Sequence, residues 1–152
     1  MQIRKLEEKD RDCLFQMMRK FYDSPALLHK SSDRVLKQDI DACLSQSPYI
    51  EAYLFEEGEE IYGYSMVSKS FTTEYGGLCV WVEDLYFKEN ARGKGMASAF
   101  FRFLEKQYPQ AVRFKLEVEA ENTHAIAAYK KNGYAFSDYF LMTKEMDKDE
   151  GI

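Results

Sequence analysis

The chain has 152 residues, of which 45% are hydrophobic and 31% charged, proportions typical of a folded globular domain. Its net charge of −5 argues against general affinity for nucleic acid, because phosphate backbones are bound by clustered cations, and it leaves room for a cationic substrate. The three cysteines are an odd number and widely spaced, which favours reduced core thiols over a disulfide framework or a metal site.

The beginning of the chain lacks an apolar signal region, and no apolar run approaches the length that spans a membrane. We therefore expect a cytoplasmic protein with no membrane partner. The chain contains no internal repeat and no linker-like segment, so we expect one domain over residues 1–152, ending in a charged tail at about 145–152.

Hydrophobic periodicity predicts four helices and six or seven strands. Three helices have an identifiable N-cap, in Asp10, Ser32 and Asn122, and Gly133 is placed as the C′ residue of the last one. The predicted elements are a strand at 2–6, helices at 10–22 and 32–46, strands at 49–55, 61–71 and 78–87, a helix at 96–107, a strand at 112–118, a helix at 122–132, and one bent or two short strands at 134–142.

The strand–helix–strand passage from Leu78 to Val118 predicts a parallel strand pair inside an otherwise antiparallel sheet. The fold class is therefore mixed α/β, of the α+β type. The first strand of the pair is apolar enough to be buried on both faces, yet it carries two adjacent carboxylates, Glu83 and Asp84.

A glycine-bearing turn follows this strand and opens a helix. Arg92, Gly93, Lys94 and Gly95 place small residues and two cations where a helix N-terminus offers free N–H groups, which predicts an anion site, most simply for phosphate. The turn matches neither the P-loop pattern nor the glycine pattern of dinucleotide-binding folds. Arg92 and Lys94 could reach the anion or point into solvent.

Two further motifs lie downstream: Asn122-x-x-Ala125-x-x-x-Tyr129, and then Asn132-Gly133-Tyr134. Together with the glycine turn, they resemble the GCN5-related N-acetyltransferase (GNAT) superfamily. The strong match spans residues 81–134, and the element order outside that span is also compatible. The resemblance implies a twisted, mostly antiparallel sheet with four helices, and a central parallel strand pair that splays apart.

The resemblance also implies acetyl-CoA as co-substrate, with its pantetheine arm lying in the splayed gap and its diphosphate on the glycine turn. The backbone of Leu85, Tyr86 and Phe87 would bind the arm. The cofactor-binding residues that the resemblance implies are Leu85, Tyr86, Phe87, Arg92, Gly93, Lys94, Gly95, Met96, Ala97, Ser98, Asn122 and Tyr129, with Ser98 as an additional donor to the diphosphate.

Two of these residues have an alternative structural interpretation. Asn122 is either a plain N-cap or also a pantetheine ligand. Tyr129 is either a core tyrosine or, as the resemblance implies, the general acid that protonates the departing thiolate. The expected reaction is direct attack of an amine on the thioester in a ternary complex. Backbone N–H groups near Leu85 to Phe87 would polarise the thioester carbonyl.

The candidate general base is Glu83, acting directly or through water, because a carboxylate on an apolar strand is expected to have a raised pKa. Asp84 is its rival and faces the opposite side under strict alternation, although a bulge would change that assignment. The alternative for either carboxylate is that it merely ties down a neighbouring element.

The acceptor site is the least specified part of the sequence. The position in the fold suggests Phe21, Tyr22, Glu83 and Tyr139, and the acidic balance suggests a small amine, a polyamine or a lysine side chain. The competing functions are a non-catalytic acyl-CoA-binding or regulatory module on the same fold, transfer of a longer acyl group, and acetylation of a protein terminus. The predicted edge strands would allow a homodimer.

Overall fold

The computed structural model describes residues 1–146, so the predicted tail at 145–152 lies outside the described residues from position 147 onward. Single 3₁₀ turns precede the first and third helices, at Glu8–Asp10 and Glu89–Ala91. The regular elements are strand β1 (Gln2–Lys5), helices α1 (Arg11–Tyr22) and α2 (Asp33–Leu44), strands β2 (Ile50–Glu57), β3 (Glu60–Thr72) and β4 (Gly77–Phe87), helix α3 (Met96–Gln107), strand β5 (Ala111–Leu116) and helix α4 (Thr123–Lys131).

The five strands form one sheet in the order β1-β2-β3-β4-β5. Neighbouring strands are antiparallel except β4 and β5, which are parallel and joined through α3. The predicted mixed sheet with one parallel pair is therefore confirmed. The parallel pair lies at one side of the sheet, and β5 is an edge strand among the described residues.

Segment 134–142 forms no strand, so the prediction of six or seven strands was wrong by one or two. Its aromatic residues favour extended backbone, but a strand also needs a neighbouring backbone with which to pair. The segment instead runs over the surface, where Phe140 is 98% exposed. The hydroxyl of Tyr139 donates to Glu74 at the β3–β4 turn, at 2.8 Å.

The helix caps follow the predictions with one exception. The side chain of Ser32 accepts from the backbone N–H of Val35 at 3.3 Å and caps α2. Asp10 precedes α1 but makes no side-chain cap, because its backbone already lies in the helical region. Its carboxylate accepts from the Arg4 guanidinium at 2.9 and 3.1 Å and from the Glu7 N–H at 2.8 Å, and so ties β1 to the turn before α1.

Helices cover both faces of the sheet, and each face has its own apolar core. We call the two sides the α1–α2 face and the α3–α4 face. Burial of each large side chain stabilises the fold by about 1.5–3 kcal/mol, which fixes the helices against the strands. The α1–α2 core includes Leu14, Met18, Leu36, Ile40, Leu54, Tyr64 and Met66, and the α3–α4 core includes Phe55, Val67, Val80, Val82, Phe100, Phe101 and Leu104.

Candidate functional site

The pairing between β4 and β5 stops half-way along β4. The last paired residues are Val82 and Leu116, whereas β4 continues to Phe87. Within residues 1–146, the β4 backbone from Asp84 to Phe87 therefore pairs with β3 on one side only. The open side offers backbone N–H and C=O groups to an extended ligand, as an unpaired strand edge does.

A β-bulge lies at Glu83, immediately after the last β4 residue that pairs with β5. We call the space beside the unpaired part of β4 the gap. Met66 of β3 faces Asp84, and Val67 faces Val82, so Glu83 has no partner residue on β3. An extra residue in one strand reverses the alternation of its side chains. Val82 accordingly packs in the α3–α4 core, while Asp84, two residues later, bonds to Tyr22 of α1 on the opposite face.

The carboxylate of Glu83 is exposed at this bulge. Its Oε2 accepts a hydrogen bond from the hydroxyl of Ser68 at 3.0 Å. The expectation for Glu83 assumed burial in an apolar strand, and that assumption was wrong, because the side chain is exposed. Exposure leaves the carboxylate accessible to an incoming amine or to a bridging water, which a general base requires.

The neighbouring Asp84 is the buried carboxylate, with 3% of its surface exposed. The hydroxyl of Tyr22 donates to Oδ1 at 2.8 Å, and that of Tyr64 donates to Oδ2 at 2.9 Å. Burial raises the pKa of Asp84 to about 6, the two tyrosine hydrogen bonds oppose the rise, and the charges of Asp39 and Glu83 add to it. With both oxygens occupied, Asp84 is suited to hold Tyr22 in place.

Asp39 on α2 is the third carboxylate on this side of the gap. Neither Asp39 nor Tyr64 was predicted from the sequence. Burial, and then the charge of Glu83, raise the pKa of Asp39 to about 6. A signal for Asp39 does exist, because it interrupts the helical spacing of the apolar residues Leu36, Ile40 and Cys43.

Two predicted acceptor residues, Phe21 and Tyr22, lie on this α1–α2 face. Tyr22 donates to Asp84, as above. The ring of Phe21 packs edge-on against those of Tyr64 and Tyr86, with centroids 6.3 and 6.0 Å apart. The C-terminal end of α1 is thereby fixed against the part of β4 that has no β5 partner.

The fourth predicted acceptor residue, Tyr139, does not lie beside Glu83. Its hydroxyl bonds to Glu74, whose other carboxylate oxygen accepts from Arg113 at 3.2 Å. Glu74 precedes the start of β4, and Glu83 lies about 20 Å further along that strand. The structure therefore separates Tyr139 from Glu83.

Tyr129 lies on α4, on the other face of the sheet. Its ring packs edge-on against Phe101 of α3, with centroids 5.8 Å apart. Burial raises the pKa of the phenol, so it stays protonated at neutral pH and is available as a donor. The side chain also lines a cavity of about 880 Å³ between β5, α4 and residues 134–141.

The glycine turn has the geometry of an anion cradle. Gly93 and Gly95 have φ of +77° and +73°, in the left-handed region that glycine occupies without strain, and Gly95 immediately precedes α3. No side chain caps α3, so the N–H groups of Met96, Ala97 and Ser98 have no cap partner among the described residues. These groups and the helix dipole favour an anion.

The two cations of the turn are exposed, and one has a local partner. The Nε of Arg92 donates to the carbonyl of Phe87 at 3.0 Å, and its guanidinium lies 5.9 Å from the ring centroid of Tyr86. The Phe87 carbonyl is thus already occupied. Lys94 is exposed beside it.

Asn122 is confirmed as the N-cap of α4. Its side-chain Oδ1 accepts from the N–H of Ala125 at 3.3 Å, which leaves the amide nitrogen free for a second partner. Among residues 1–146, no three His, Cys, Asp or Glu side chains are grouped so that they could hold a metal ion. No helix in that range is long and apolar enough to cross a membrane.

A sequence profile described as Acetyltransferase (GNAT) family matches residues 12–134. The chain belongs to this family. Its members use acetyl-CoA, and the open β4 edge and glycine turn described above occupy the region of the GNAT match. No curated protein matches the sequence.

Solved structures share the GNAT fold over nearly the whole chain, at identities that show the fold alone. A possible acetyltransferase from Clostridium difficile 630 has a TM-score of 0.84 and 19% identity, covering 97% of this chain and 98% of that one. A ribosomal-protein-alanine N-acetyltransferase from Brucella melitensis biovar Abortus 2308 has a TM-score of 0.74 and 16% identity, over 96% and 100%. AAC(6′)-Iy, in complex with the bisubstrate analog CoA-S-monomethyl-acetylneamine, has a TM-score of 0.78 and 10% identity, over 96% and 98%.

Proposed function

We propose that the protein is an N-acetyltransferase that moves the acetyl group of acetyl-CoA to a primary amine by direct attack in a ternary complex. The observation that supports this most strongly is the continuous track formed by the open β4 edge and the glycine turn that follows it. The edge would bind the pantetheine arm through backbone groups of Leu85 and Tyr86, and the turn would bind the diphosphate.

The two candidate catalytic residues lie on opposite faces of the sheet. Glu83 lies on the side of α2, since its charge acts on Asp39, whereas Tyr129 packs in the α3–α4 core. A thioester held in the gap could therefore meet a base on one face and an acid on the other. This arrangement supports separate paths for the amine and for the departing thiol.

Glu83, directly or through one water, takes a proton from the acceptor ammonium, and the neutral amine attacks the thioester carbonyl. A C–N bond forms and the C–S bond breaks, the Tyr129 phenol gives its proton to the sulfur, and the attacking nitrogen loses its second proton to water. Water then reprotonates Tyr129. Backbone N–H groups on the open β4 edge stabilise the carbonyl oxygen as negative charge develops.

The charge around the gap favours a cationic acceptor. Asp39, Glu83 and Asp84 all lie on the α1–α2 face, where an amine would enter. An ammonium ion is attracted to such a face before it loses its proton. We therefore favour a small amine, a polyamine or a lysine side chain as the acceptor.

An acceptor screen tests the proposal. The protein is incubated with acetyl-CoA and a panel of monoamines, polyamines, aminoglycosides, lysine peptides and alanine-terminated peptides, and free CoA thiol and acetylated product are both measured. We expect thiol release that depends on an amine and a product heavier by one acetyl group. Tight acetyl-CoA binding with no transfer to any acceptor would support the non-catalytic module instead.

A further inference from the structure

Asn132 joins the first turn of α3 to α4, and the proposed mechanism gives it no role. It is the C-cap residue of α4 and is half-buried. Its amide nitrogen donates to the carbonyl of Ala128 at 2.8 Å and to the hydroxyl of Ser98 at 3.0 Å. Ser98 is in the first turn of α3, so this one side chain connects the predicted diphosphate site to the helix that carries Tyr129.

The orientation of this amide follows from its partners. A backbone carbonyl can only accept, so the Asn132 atom that lies 2.8 Å from the Ala128 oxygen must be the nitrogen. The second hydrogen of that NH₂ group then points at the Ser98 oxygen, which must accept it. If the amide oxygen and nitrogen of Asn132 were exchanged, its oxygen would face the Ala128 carbonyl oxygen, and both atoms are acceptors.

The Ser98 hydroxyl accepts this hydrogen bond, which limits the other hydrogen bonds that it can make. A hydroxyl has one proton to donate and two lone pairs, and Asn132 uses a lone pair. Among residues 1–146, the Ser98 hydroxyl donates no hydrogen bond, so its proton has no protein acceptor. It lies beside the uncapped N–H groups at the start of α3, where an anion is favoured.

We propose that Asn132 is a positioning residue that holds Ser98 as a donor to the diphosphate of acetyl-CoA. This inference rests on the proposed function. By filling one lone pair, Asn132 prevents the Ser98 proton from turning toward α4 and keeps it available to a phosphate oxygen. The same bond fixes the start of α3 relative to α4.

The test compares acetyl-CoA with S-acetylpantetheine, which has the same thioester arm but no diphosphate. Ser98→Ala, Asn132→Ala and the double variant are titrated with acetyl-CoA by calorimetry and with S-acetylpantetheine by NMR at millimolar concentration. We expect each single variant to weaken acetyl-CoA binding about tenfold, the loss that corresponds to one hydrogen bond to a charged group, and the double variant to lose no more. Binding of S-acetylpantetheine should change by less than about twofold.

Two further variants separate orientation from stability. In Asn132→Asp, the carboxylate accepts the Ser98 proton and repels the diphosphate, so we expect at least a tenfold loss for acetyl-CoA. Gly133→Ala is the matched control: it strains the same helix end, where φ is +92°, but leaves Asn132 in place. It should lower the melting temperature without changing the ratio of the two affinities.

The inference is overturned if the Asn132 variants bind acetyl-CoA normally, if they weaken both ligands equally, or if the losses from Ser98 and Asn132 add. Those results concern Asn132 alone, because they require a wild-type protein that binds acetyl-CoA. If the wild-type protein does not bind acetyl-CoA, the proposed function fails and this inference fails with it.

Discussion

Replacement of Gly95 by alanine would test whether the backbone of the glycine turn binds the diphosphate. Gly95 has a φ of +73°, and a Cβ built on it meets no atom within 4 Å. The folded protein therefore accommodates the methyl group sterically, and the cost to stability is backbone strain alone. That cost is about 1–2 kcal/mol for an L-residue in the left-handed region.

The effect on acetyl-CoA affinity should be separate from this strain. The methyl group would project from the turn that is proposed to hold the diphosphate, and would keep phosphate oxygens from the N–H groups at the start of α3. Hydrogen bonds to a charged group are worth about 1.5–3 kcal/mol each, so the loss of even one predicts at least about a tenfold weaker Kd. A larger side chain, as in Gly95→Val, should abolish binding.

Gly58→Ala is the matched control, because Gly58 has a φ of +63°, also has open space around its Cβ, and lies at the β2–β3 turn. Both variants should lose similar stability, with a shift of about 2–4 °C in Tm for each kcal/mol in a domain of this size. Calorimetric titration should find weaker acetyl-CoA binding only in Gly95→Ala. Equal affinity in the two variants would refute the backbone cradle.

Three further predictions concern the carboxylates. Glu83→Gln should lower kcat by about 10²-fold or more, whereas Glu59→Gln on an exposed turn should leave kcat unchanged. An unaltered kcat in Glu83→Gln would exclude Glu83 as the base. Tyr22→Phe removes one hydrogen-bond donor from buried Asp84, so denaturant titration should find a free energy of unfolding lower by about 1–3 kcal/mol, and NMR titration should find a higher pKa for Asp84. If neither change is observed, this hydrogen bond is unimportant. Burial alone would raise the pKa of Glu51, but hydrogen bonds from two tyrosines and a lysine lower it to about 2 from an ordinary value near 4.5. Its stabilising contribution is therefore present above about pH 4.5 and lost as the pH falls toward 2, and Glu51→Gln should flatten that part of the acid unfolding curve.

The parts of the fold that depend on local sequence were predictable. The apolar strand, the glycine turn and the helix that follows are consecutive along the chain, so the parallel pair and the cradle follow from spacing and turn chemistry. Asn122 and Gly133 bracket α4 as expected, because capping depends on residues within one or two turns of the helix end.

The features that depend on another strand or helix were not predictable. The bulge at Glu83 is a property of the register with β3, and it exchanges the expected environments of the two carboxylates: Glu83 is exposed and Asp84 is buried. Asp39 and Tyr64 reach the site from distant parts of the chain. Segment 134–142 has the composition of a strand, but local propensity cannot supply the partner backbone that a strand requires.

The most direct test of the account is a comparison of Tyr129→Phe with Tyr134→Phe, once the acceptor screen has supplied a substrate. Both tyrosines are packed against Phe101, with centroids 5.8 and 5.0 Å from its ring, so the second variant controls for loss of a half-buried hydroxyl at the same place. If Tyr129 protonates the departing thiolate, Tyr129→Phe should keep its Kd for acetyl-CoA while kcat falls about 10²-fold, and Tyr134→Phe should keep both. Unchanged turnover in Tyr129→Phe would contradict the account.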